Sequence, residues 1–97
     1  MTKLKRYMIE RDIPGIGGMS TVELCGAART SNQAIAKVGP GVQWQHSYVA
    51  GDKIYCVHDA ESAEDVLEHA RRGGFPANLV TEVARVFDST GPRGLPV

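Results

Sequence analysis

The sequence lacks any apolar run approaching the ~20 residues that a membrane-spanning helix requires. Residues 1–12 carry charges but not the apolar segment of a signal peptide, and the chain has only two cysteines. We therefore expect a cytoplasmic protein with free thiols, and a Cys25–Cys56 disulfide is the weaker alternative. Lysine plus arginine equals aspartate plus glutamate at 11 each, so no net charge would attract nucleic acid.

The 97 residues fit one domain with a single hydrophobic core. We predict that residues 1–88 form this domain. Residues 89–97 contain several glycines and prolines, and we predict that they form a flexible C-terminal tail.

Periodicity and helix-end signals predict a regular series of strands and helices. Ser20 and Glu23 have the spacing of a capping box, and Gly39 with Pro40 would end the helix that follows. The predicted elements are a strand at 4–13, a helix to residue 38, a hairpin of 42–49 and 53–58, a helix from Ser62 to Gly73, and a strand at 79–87. This order, βαββαβ, is that of the split βαβ or ferredoxin-like arrangement.

The predicted fold class is therefore α+β, with two helices on one face of a four-stranded antiparallel sheet. No helix remains to cover the other face, which we call the open face. A second copy of the chain is the usual cover for such a face. We therefore predict a homodimer formed through the open sheet face, as a dimeric α+β barrel.

The hairpin within residues 39–59 concentrates the aromatic and titratable side chains, including the single tryptophan. A two-residue loop at Ala50 and Gly51 would place on the open face Trp44, His46, Tyr48, Tyr55 and Val57. A three-residue loop would instead group His46 with Cys56 and His58. On the first strand, the side chains on the open face could be either Leu4, Met8 and Glu10 or Tyr7, Ile9 and Arg11.

Three motifs in order resemble a family of small bacterial α+β domains described as nickel-binding-like. They are YMIERDIPG at 7–15, WQHSYV at 44–49 with DKIYC at 52–56, and EHARRGGFP at 68–76. The resemblance implies a ferredoxin-like fold, a homodimer, and nickel or another divalent transition metal as the ligand. The metal ligands would then be His46, His58 and Glu10.

The leading hypothesis is a cytoplasmic homodimeric binding protein that holds a small ligand or a metal ion on the open face. The pocket would be lined by Trp44, His46, Tyr48, Tyr55 and Glu10. The alternative is a cofactor-free enzyme, an oxygenase or isomerase, with His46 as base and a tyrosine as hydrogen-bond donor. A structural dimer module without a ligand is a third interpretation, and the fold does not distinguish the three.

Overall fold

A computed structural model describes residues 4–38 and 41–93 of the chain. Its elements in chain order are β1 (Lys5–Asp12), a 3-10 helix (Ile16–Gly18), α1 (Thr21–Val38), β2 (Val42–Ala50), β3 (Lys53–Ala60), α2 (Ala63–Gly73), β4 (Leu79–Glu82), β5 (Val86–Asp88) and β6 (Gly91–Arg93). Gly39 and Pro40, which were predicted to end α1, lie outside the described residues. No helix in the described ranges has the length and apolar character to cross a membrane.

Both helices begin at the residues that the sequence predicts. The Ser20 hydroxyl accepts a hydrogen bond from the Glu23 amide, and the Glu23 carboxylate accepts one from the Ser20 amide. This reciprocal pair is the predicted capping box. At α2 the Ser62 hydroxyl accepts from the Asp65 amide, and Gly74 ends the helix with a φ of 71°. Helices commonly end at a glycine in this left-handed conformation.

Four antiparallel strands form the main sheet in the order β2-β3-β1-β4. The α+β prediction of two helices and a four-stranded antiparallel sheet is confirmed. Both helices pack on the same sheet face, because Val66 of α2 belongs to the buried cluster of strand side chains and Ile35 of α1 packs against that cluster. The buried cluster consists of Tyr7, Ile9, Val42, Cys56, Ala60 and Val66. Tyr7, Ile9 and Arg11 of β1 therefore face the helices, and Met8 and Glu10 lie on the open face.

The hairpin has a two-residue turn, at Gly51 and Asp52 rather than at Ala50 and Gly51. His46 lies opposite Val57, and Tyr48 lies opposite Tyr55, so these four side chains share the open face as predicted. The prediction that Trp44 joins them is wrong. A β-bulge between Trp44 and His46 adds one residue to β2, which reverses the alternation and places Trp44 opposite His58 on the helix-facing side.

The C-terminal region differs from the single predicted strand at 79–87. The strand that pairs with β1 ends at Glu82, and β5 and β6 form a separate two-stranded sheet. Residues 89–93 therefore lie in this second hairpin, where Asp88 accepts hydrogen bonds from Thr90 and pairs with Arg93. Residues 94–97 of the predicted tail lie outside the described residues, and the flexibility of the tail stays a prediction.

Candidate functional site

A cavity of about 550 Å³ lies between the first half of α1 and the helix-facing side of the sheet. Its wall is mainly apolar and comes from the 13–19 segment, α1, the hairpin and the segment after α2. The wall includes Ile13, Met19, Leu24, Ala27, Trp44 and Phe75. A few polar side chains also reach it, namely Arg11, Asp12, Ser31, Ser47 and His58. An apolar hollow of this size with a few polar groups is the usual form of a small-molecule site.

Trp44 lies in this cavity and not on the open face. Its indole Nε1 donates a hydrogen bond to the Ser47 hydroxyl at 2.9 Å. Both residues line the cavity because the bulge in β2 places Trp44 on the same helix-facing side as Ser47. The single tryptophan of the chain is therefore a built-in fluorescent reporter of this cavity.

The other predicted ligand-binding residues do share the open face. Glu10 lies opposite Tyr55, which in turn lies opposite Tyr48, so the three form one row across the sheet. His46 occupies the next row and its ring meets that of Tyr48 edge-on, with 5.1 Å between the ring centroids. His46 and Tyr48 are exposed. In the described residues this arrangement is a surface rather than an enclosed pocket.

Two buried histidines meet between the sheet and the helices. The rings of His58 on β3 and His69 on α2 lie 4.9 Å apart, and both residues are at most 1% exposed. Since His69 Nε2 lies 3.2 Å from the carbonyl oxygen of Ser31, which can only accept, we assign the proton to Nε2. The Nδ1 atoms of both rings are buried without a hydrogen-bond partner in the described structure.

Burial sets the charge of both histidines. Burial is the largest of the effects that lower the pKa of His58 to about 3; the nearby His69 and Arg11 add to it, and Asp59 opposes it. Burial also lowers the pKa of His69, and this is partly opposed by its hydrogen bond to Ser31. Both imidazoles are therefore neutral at pH 7.

The three predicted metal ligands are not brought together. His58 points toward the helices, whereas His46 and Glu10 lie on the open face. No three or more histidine, cysteine, aspartate or glutamate side chains converge as a metal site within residues 4–38 and 41–93. The pair of His58 and His69 offers unpartnered nitrogens but only two donors, and a transition-metal site needs three or four. The described residues of one chain therefore do not fit a resident nickel ion.

Sequence reasoning missed Arg11, Ser31 and His69 as members of a site. Ser31 falls in the apolar stripe of α1, and His69 falls on the flank of the stripe of α2. Arg11 follows Tyr7 and Ile9 at steps of two on β1, and both of these residues are buried. A charged side chain in phase with a buried strand face was the available signal.

Comparisons with known proteins agree with the resemblance in the motifs. A family model described as "Nickel responsive protein SCO4226-like" matches residues 7–83. The crystal structure of SCO4226 from Streptomyces coelicolor A3(2) superposes with a TM-score of 0.67 at 26% sequence identity, covering 81% of this chain and 95% of that chain. No curated protein sequence matches this chain. Since the family model spans most of its length, this chain belongs to the SCO4226-like family of nickel-responsive proteins.

Proposed function

We propose that this chain is a homodimeric, cytoplasmic binding domain of ferredoxin-like fold that holds a small organic molecule beneath α1. The observation that carries the proposal is the cavity of about 550 Å³ with its apolar wall and few polar groups. Trp44 and Phe75 would provide flat apolar contact surfaces for a ligand. Ser31, Ser47 and Arg11 would supply the polar contacts that orient it.

The strand order β2-β3-β1-β4 supports the ferredoxin-like assignment, and the open face supports the dimer. No helix of the described chain covers this face, and it carries Tyr48 at 57% and Leu79 at 51% exposure. Large exposed apolar side chains grouped on one sheet face are typical of an interaction surface. A second copy packed sheet to sheet would bury them around a two-fold axis.

Binding beneath α1 can be tested with Nile red, a neutral apolar fluorophore. We expect saturable binding with a change in Trp44 emission, because the dye and the indole would share the cavity. Ala27→Phe, which fills the cavity from α1, should weaken binding at least tenfold. Ala36→Phe makes the same change at an exposed position of the same helix and should bind as the unaltered chain does. Equal binding by both variants would contradict the proposal.

A second candidate function is metal handling, and the description of the family as nickel-responsive favours it. In a dimer formed through the open face, His46 and Glu10 of the two copies would double the number of available donors. Tyr48 and Tyr55 would line the same interface. An enzymatic role for His46 needs the same partner, because His46 is exposed to water in the single chain.

Native mass spectrometry of the untagged protein with added nickel counts subunits and ions together. We expect a dimer, with nickel bound only as the dimer and lost in His46→Ala. His58→Ala provides the matched control, since it removes a histidine from the helix-facing side. A monomer would contradict the dimer, and nickel retained by the His46 variant would exclude the open-face metal site.

A further inference from the structure

Arg11 is a charged side chain buried at the cavity. It lies on the helix-facing side of β1, lines the cavity, and is 3% exposed. An arginine cannot lose its proton in a protein, so its full positive charge is held in this apolar surrounding. Such a charge is costly to bury unless another group compensates it.

The partners of Arg11 in the described structure include no carboxylate. Its Nε lies 3.4 Å from the sulfur of Cys56, its Nη1 donates to the carbonyl oxygen of Pro76, and its Cζ lies 5.5 Å from the ring centroid of Phe75. Among residues 4–38 and 41–93, each carboxylate that forms an ion pair does so with a cation other than Arg11. Within the part of the chain that the structure describes, the charge of Arg11 therefore has no carboxylate as counter-ion.

Among the described residues that line the cavity, Asp12 is the one that carries a carboxylate. Asp12 reaches the wall, but it is exposed and pairs with Lys53 at 3.5 Å. His58 is neutral at pH 7 for the reasons given above. The cavity therefore combines one buried positive charge with a mainly apolar surface.

We infer that the cavity takes an organic monoanion, a carboxylic acid with a compact apolar body, whose carboxylate pairs with the guanidinium of Arg11. This inference rests on the proposed function of the cavity as a ligand site. Guanidinium and carboxylate match in shape and can form two parallel hydrogen bonds. A single cation in an apolar hollow favours a monoanion over a phosphate ester, which carries more charge and needs more donors.

Cinnamic acid and cinnamamide, two probes of the same shape that differ in charge, test this inference by calorimetric titration at pH 7. We expect the acid to bind about ten- to a hundredfold more tightly, the usual effect of a charge-assisted hydrogen bond. In Arg11→Met the two probes should bind alike. Arg29→Met removes one positive charge from an exposed position of α1 and should retain the preference.

The outcomes separate the inference from the proposed function. Equal binding of both probes by the unaltered chain overturns the inference and leaves the cavity as a ligand site. Binding of neither probe, together with no binding of Nile red, overturns both. A preference for the acid that persists in Arg11→Met shows that another group holds the carboxylate. The comparison on the unaltered chain decides the charge question even if Arg11→Met does not fold.

Discussion

Acidification from about pH 8 to about pH 5 should lower the free energy of unfolding by about 2 kcal/mol through His58 alone. The pKa of His58 is lowered from 6.5 to about 3 in the folded chain, because the ring is buried beside His69 and Arg11. Between these two values the unfolded chain binds more protons than the folded chain. The contribution to stability is therefore complete above pH 6.5 and is lost as the pH falls toward 3. The window above pH 5 avoids most carboxylate titration.

Urea denaturation followed by Trp44 fluorescence at a series of pH values measures this effect. His58→Phe keeps a ring of similar size and removes the titrating group, and the buried Nδ1 that it deletes has no partner to lose. We expect the dependence on pH to become markedly weaker in this variant. His46→Gln, which removes the exposed histidine, should keep the dependence of the unaltered chain. The same slope in His58→Phe as in the unaltered chain would show that His58 is not the source.

Loss of the Arg6 guanidinium should lower the free energy of unfolding by about 2–3 kcal/mol. Arg6 Nε lies 2.8 Å from the carboxylate of Asp59, whose side chain is only 4% exposed, against 24% for Arg6. The amide of Gln45, the residue in the β-bulge, donates to the same carboxylate at 2.8 Å. Arg6→Met would leave a buried negative charge with Gln45 as its remaining side-chain donor. We expect less than the usual ~3–5 kcal/mol for such a loss, because Arg6 is partly solvated.

Thermal or urea denaturation of three variants distinguishes this pair from an ordinary surface contact. Asp59→Asn should cost less than Arg6→Met, since the freed arginine can reach water. The double variant should cost less than the sum of the two single changes, which is the signature of a direct interaction. Arg71→Met, which removes an exposed partner of Glu68, should leave stability nearly unchanged. Strict additivity in the double variant would contradict a coupled buried pair.

The sequence predicts this fold well because its signals are local. The serines that cap α1 and α2, the glycine that ends α2 and the turn of the hairpin all act within a few residues. Alternation along β1 and β3 then places Cys56 and His58 under the helices and Tyr55 on the open face.

The site was harder to predict because it depends on one irregularity and on packing across the chain. The bulge in β2 carries no proline or glycine to mark it, yet it moves Trp44 from one sheet face to the other. The contact between His58 and His69 joins a strand to a helix, and the cavity forms only where α1 lies over the sheet. The spacing of residues within the sequence does not reveal such long-range contacts.

A nuclear magnetic resonance titration of the isotope-labelled chain with cinnamate tests most directly whether the cavity beneath α1 is the ligand site. We expect the largest shifts on the Trp44 indole N–H and on the amides of Ala27 and Ala28, with the Arg11 Nε–H shifting alongside them. Tyr48 and Tyr55 on the open face should shift little. Shifts confined to His46, Tyr48 and Tyr55 would instead place the ligand on the open face and contradict a ligand site beneath α1.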